Sequence, residues 1–205
     1  MNVYVETNFV LEMVFEQEQS SSCEEIVQFC ESGHGKLVLP AYSLAEPHEK
    51  LVRQANTRQI LYNQLDTELA QLARTSSYRE KILGVRDIAG LLIQSNEEER
   101  RRFGAVRERI LKIGDIVPLS TEILQNGASY EKRFDLRPQD AIVYASVISH
   151  LQKSTPPTGC FLNRNSKDFD NPDIADELKR FNCRMIPRFD HGCSYIRSAT
   201  PKPSE

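Results

Sequence analysis

The chain has 205 residues, 40% of them hydrophobic and 27% charged, with 26 Lys and Arg against 29 Asp and Glu for a formal net charge of −3. Such a length and balance describe one globular domain and exclude collagen-like, low-complexity and disordered chains. The slight acidity argues against holding nucleic acid mainly by charge, yet leaves room for an enzyme whose acids gather around a metal.

In chain order, Asn2–Val5 is β-branched and aromatic and reads as a buried strand that runs, through Glu6, Thr7 and Asn8, into the apolar helix around Phe9–Phe15. Ser20, Ser21 and Ser22 offer N-caps for a helix carrying Ile26, Val27 and Phe29, ended by Gly33 and Gly35. Lys36–Pro40 predicts a second strand, and Ser43 opens a helical stretch in which Leu61, Leu65, Leu69 and Leu72 paint one stripe, read as ordinary core. A helix over Arg79–Ile93 is expected to stop at Ser95-Asn96-Glu97-Glu98, whose capping-box spacing predicts a further helix to Gly114. Ile116–Leu119 reads as a short extended segment and Ser120 or Thr121 as the cap of a helix to Phe134.

Pro138 at a first helical position introduces a helix that is apolar on nearly every side and so must pack centrally. Cys160–Leu162 and Cys183–Ile186 are the last two strands, with a helix from Asn171-Pro172 between them. Strands alternating with helices predict an α/β fold with a mostly parallel sheet covered on both faces. One domain over residues 1–195 is expected, with 55–113 as a helical insertion within it and 196–205 as a flexible tail. Five cysteines without a Cys-x-x-Cys pair suit free, buried thiols, and Cys183, His191 and Cys193 match no standard zinc spacing. With no apolar run near the ~18 residues of a membrane span and no basic leader, a cytoplasmic location away from membranes is expected.

Four acids fall where a strand ends or a helix begins: Glu6 after the first strand, Glu46 after the second, Asp140 in the first turn of the central helix, and Asp168 after Cys160–Leu162. In a parallel sheet all four converge on the carboxyl edge, where ligands of such folds collect. Like charges at close range need a cation, and oxygen ligands suit Mg²⁺ or Mn²⁺, which can activate a water for phosphodiester hydrolysis. Singly, Glu46 and Asp140 would be explained by the helix macrodipole alone; the joint pattern is what points to a site. Glu97–Arg102, with Arg107, Arg109 and Lys112 beyond, is read as a solvated helix laced by i,i+4 pairs rather than an RNA-binding face.

Val3-Tyr4-Val5-Glu6-Thr7-Asn8 resembles the opening Asp-Thr-Asn motif of PIN-domain proteins, and Ser43-Leu44-Ala45-Glu46 is similar to their second acidic position. Leu136-Arg137-Pro138-Gln139-Asp140-Ala141 resembles the third, and Phe161–Phe169 the fourth segment. The resemblance implies a three-layer PIN-like fold enlarged by the helical middle and a Mg²⁺- or Mn²⁺-dependent endoribonuclease, as in VapC-type toxins of toxin–antitoxin pairs. It further implies Glu6, Glu46, Asp140 and Asp168 as catalytic acids and metal ligands with Asn165, and Thr7 and Asn8 as auxiliaries. RNA is the implied substrate, contacted by Arg164 and Lys167, and an antitoxin protein and a homodimer are the expected partners. Two departures stand out: Glu6 replaces the usual Asp, one methylene longer, and Asn165 stands where many members carry Asp, donating an oxygen without charge. A catalytically weak PIN-like module that binds RNA or protein is the alternative they suggest.

Overall fold

The computed structural model describes residues 1–154, 157–165 and 169–199. Five strands, β1 (Asn2–Val5), β2 (Lys36–Pro40), β3 (Asp115–Val117), β4 (Gly159–Leu162) and β5 (Cys183–Ile186), form one all-parallel sheet in the order β3-β2-β1-β4-β5. The central strands β2, β1 and β4 read as nearly unbroken apolar runs because both their faces are buried. Val3, Val5, Leu37, Leu39, Cys160 and Leu162 enter one core, and the alternating Tyr4, Val38 and Phe161 enter the other.

The first core is closed by α1 (Thr7–Phe15), α2 (Ser20–Glu31), α4 (Arg79–Ile113) and the final helix α8 (Phe189–Ala199). The second is closed by α5 (Thr121–Phe134), α6 (Pro138–Ser154) and α7 (Pro172–Arg180). This is the expected three-layer α/β arrangement, with α6 as the central apolar helix: Ala141, Val143–Ser149 and Leu151 are all buried. All five cysteines are free and buried, and among the described residues no helix is long and apolar enough to cross a membrane.

Three expectations are corrected. The predicted break at Ser95 is absent: α4 runs unbroken for 35 residues and packs along α3 (Ala41–Leu72) as a long antiparallel hairpin. Glu99, one residue past the predicted cap, is 7% exposed and accepts two hydrogen bonds from the Arg58 guanidinium of α3, at 2.8 and 3.0 Å. That pair and the absence of Pro or Gly there outweigh a local capping preference. The leucine stripe is only partly core, since Leu69 is buried while Leu61 and Leu72 stand 44% and 45% exposed along the hairpin.

Residues 196–199 of the predicted tail are instead the last turn of α8, along which Phe189, Cys193 and Ile196 recur at helical spacing and are buried, and residues 200–205 lie outside the described residues. The arginines of the Glu97–Lys112 stretch serve packing: Arg102 donates to the Val14 carbonyl and pairs with Glu16, and Arg109 forks onto Glu24 and Glu31.

Ser43, in the first turn of α3, is fully buried, and its hydroxyl is the one buried side-chain polar atom among the described residues without a partner. An unsatisfied buried hydroxyl costs about 1–3 kcal/mol. Ser43→Ala is therefore expected to raise stability by about 1 kcal/mol, read as a higher urea midpoint at unchanged slope.

Candidate active site

Strand order fixes where a site can form. The connections from β1 lead to β2 and β3 on one side, and the chain then crosses to β4 and β5 on the other, so the topological switch point lies beside the carboxyl end of β1. Glu6 sits there as the N-cap of α1; Glu46 stands in the second turn of α3, which follows β2 directly; Asp140 is in the first turn of α6; Asn165 is three residues past β4. These four side chains, with Thr7 and Asn8, line one cavity of about 320 Å³. Three of the four predicted acids are thus brought together, and Asp168 and Lys167 lie outside the described residues.

Each carboxylate is oriented by a neutral donor. The backbone N–H of Asn8 donates to Glu6 Oε2 at 2.7 Å, and the N–H of Arg164 reaches Oε1 at 3.4 Å. The Thr7 hydroxyl donates to Glu46 Oε2 at 2.5 Å. Asn165 Nδ2 donates to Asp140 Oδ2 at 3.0 Å, and the Asn165 N–H is itself fixed by the Asn163 side-chain oxygen at 2.8 Å. Thr7 is thereby tied to the second acid, Glu46, while Asn8 holds the first through its backbone.

Glu6 is only 5% exposed, and burial, helped slightly by the charge of Asp140, pushes its carboxyl up to about 7 against the pull of the Asn8 and Arg164 amides. A raised folded pKa means that the metal-free protein holds this proton more tightly than the unfolded chain does. Its contribution to stability is complete below the ordinary value of 4.5 and is lost as pH rises through about 7. The expected loss is about 3 kcal/mol, measured as a fall in the urea midpoint between pH 5 and pH 8. Glu6→Gln should flatten that slope, and Mn²⁺ at pH 8 should stabilise the native protein but not this variant.

The donors are all oxygens, which suits a hard divalent cation. Among the described residues no three His, Cys, Asp or Glu side chains are gathered into a ready cage. A hard divalent cation taken here would keep several waters and take one or two carboxylates directly. Glu6, Glu46 and Asp140 would share its direct and water-mediated contacts, and the Asn165 oxygen would be a neutral donor beside them.

Arg164 lies beside the site, but its guanidinium turns away to pair with buried Glu12 and, at 3.5 Å, with Glu18. Sequence reasoning missed Lys50, Arg53, Arg137 and Gln139, which also line the cavity. Lys50 and Arg53 could have been found from their spacing of four and seven after Glu46, which stacks them on one face of a helix.

A doubly covered parallel sheet with acids collected at its switch point defines an α/β protein with an acidic site. The sequence model of the PIN domain matches residues 3–169, and the chain belongs to the PIN-domain family. Members of that family are nucleases in general, and a nuclease-type function follows for this chain. No curated protein and no solved structure matches it.

Proposed function

We propose that the protein is a Mg²⁺- or Mn²⁺-dependent endoribonuclease that hydrolyses RNA phosphodiesters without a covalent intermediate. The observation that supports this most is the convergence of Glu6, Glu46 and Asp140 on one cavity, each carboxylate held by a hydrogen-bond donor of the protein. When bound, a divalent cation supplies positive charge against the phosphate and acidifies water. The protein's own residues set the geometry: Thr7 keeps Glu46 aimed, Asn165 keeps Asp140 aimed, and the start of α1 and the Arg164 amide keep Glu6 in place. The test is incubation of purified protein with single-stranded and structured RNA, and with DNA of the same sequence, with Mn²⁺ or with chelator. Cleavage of RNA only when Mn²⁺ is present is the expected result, and metal-independent or DNA-only cleavage overturns it.

A second reading, a PIN-like module that binds RNA or protein without cutting, draws on the absence of a preformed three-ligand cage among the described residues. Calorimetric titration with Mn²⁺ separates the two, since the module predicts no binding in the millimolar range. The role of toxin in a toxin–antitoxin pair is a further part of the proposal: expression should arrest growth and Asp140→Asn should relieve the arrest. The homodimer is proposed likewise, and a chromatographic mass of one chain at micromolar concentration would set it aside.

A further inference from the structure

The base of the α3 and α4 hairpin is built into the fold, since Leu44, Leu51, Phe103 and Ile110 belong to the first core. Beyond Arg58 and Glu99 the hairpin leaves both cores and lines no part of the site cavity. Of the described apolar side chains in this outer half, only Leu69, Ile82 and Ala89 are buried. A helix in a protein draws most of its stability from packing an apolar face, and two helices touching along one thin seam have little of it.

The apolar surface left over is ordered. Leu61, Leu72, Val85, Ile88 and Leu91 are each 43% to 67% exposed. Leu61 and Leu72 are about three turns apart on α3 and share a face, while Val85, Ile88 and Leu91 recur every three residues along α4. Both rows are displaced from the buried seam of Leu69, Ile82 and Ala89 in the same rotational sense, which in antiparallel helices brings them to the same side of the hairpin.

The face is also symmetric. Arg58 reaches both Asn96 and Glu99, a register that sets residues 66–67 of α3 level with Ile88 of α4. Val85 and Leu91 stand equally far on either side of Ile88, and Leu61 and Leu72 equally far on either side of residues 66–67. A two-fold axis crossing the face at that level lays Leu61 on Leu72, Val85 on Leu91 and Ile88 on Ile88 of an antiparallel copy. Such self-complementarity is what an isologous contact requires, and an unrelated partner does not ask for it.

Charge obeys the same axis. Lys81 is exposed and makes no ion pair among the described residues, and the axis brings it within about one turn of Glu98 of the second copy. That carboxylate lies 3.9 Å from Arg102 on its own chain. Glu68, exposed between the two leucines, comes beside Gln64 of the second copy, whose amide can donate to it. A strip two helices wide and about 30 Å long from Tyr78 to Glu98 presents about 600 Å² per copy, near the roughly 800 Å² per partner of a stable interface.

We propose that this face joins two copies of the chain, packed antiparallel through their hairpins into a four-helix bundle. The proposal gives the homodimer a surface and rests on that homodimer; nuclease activity plays no part in it.

Sedimentation equilibrium of the full chain should show a dimer with a dissociation constant of about 1–10 µM. Ile88→Asp sets two carboxylates against each other on the axis and should give single chains even at about 100 µM, with unchanged helical circular dichroism because the side chain is exposed. Leu124→Asp, the same change at an exposed leucine on α5, should leave the dimer intact. Lys81→Glu and Glu98→Lys should each weaken the dimer about three- to tenfold, and the two together should restore it to within about twofold. Should Ile88→Asp lose helix, this charge exchange decides alone. A single-chain mass for the native protein at about 100 µM overturns the face and the homodimer together, and passes the apolar surface to a different protein. A dimer indifferent to Ile88→Asp overturns the face and keeps a homodimer formed elsewhere. An equal loss in Leu124→Asp, or charge reversals whose losses merely add, also overturns the face.

Discussion

Asp140→Asn is expected to lower Mn²⁺-dependent RNA cleavage at least about a hundredfold while leaving the thermal midpoint close to that of the native protein. The side chain keeps its shape and an oxygen but loses the charge that a divalent cation requires. Two opposed effects on stability nearly cancel. A carboxylate in the first turn of α6 is favoured by the helix dipole by about 0.3–1 kcal/mol, and that is lost. Against it, the charge of Asp140 disfavours ionised Glu6, and that repulsion is relieved. Asp190→Asn is the matched control, because Asp190 is paired with Arg188 at the start of α8 and does not line the cavity. Activity of Asp140→Asn equal to that of the native protein would overturn the assignment.

Arg164→Ala should be the most destabilising single change near the site, at about 3–5 kcal/mol by chemical denaturation. The Glu12 side chain is 1% exposed and that of Arg164 is 37% exposed. Removing the arginine strands a buried carboxylate whose other oxygen is already committed to the Gln19 N–H at 2.7 Å. Removing the charge of Glu12 instead leaves a cation that still reaches solvent and Glu18. Glu12→Gln should therefore cost much less than Arg164→Ala, and Glu12→Gln in the Arg164→Ala background should restore most of the loss. Equal losses for the two single variants would show that the pair is not the anchor. The anchor matters for the site because the Arg164 N–H and the Asn165 side chain hold Glu6 and Asp140. Gln19 extends the same network to the Phe189 N–H at 2.7 Å, joining α8 to the loop after β4.

What could be read from the sequence, and what could not, divides by the range of the forces involved. Strands β1, β2 and β4 were legible because burial on both faces demands short continuous apolar runs, and Pro138 announced α6 and with it Asp140. The convergence of Glu6, Glu46 and Asp140 followed once the strands were taken as parallel. The continuity of α4 was not legible, since Ser95-Asn96-Glu97-Glu98 is a sound local cap and only Arg58, 41 residues before Glu99, overrides it. Arg164 shows the same limit: beside an acidic segment a lone arginine suggests a phosphate contact, and nothing local reveals Glu12, 152 residues earlier. Helix α8 was missed although Phe189, Cys193 and Ile196 carry its period. A short amphipathic pattern after a final strand is easily taken for a tail.

The strand order has a consequence for synthesis. β1 lies at the centre of the sheet and is made first, yet its second neighbour, β4, pairs Asn2 with Gly159 and Val5 with Leu162. Until those residues leave the ribosome, β1 has only β2 beside it, Asp140 has only just been added, and the loop that fixes Glu6 and Asp140 does not exist. Domains tend to fold as units, and pairings this distant in sequence close late. The acidic edge of the sheet is therefore completed only once β4 has paired with β1, late in the assembly of the fold.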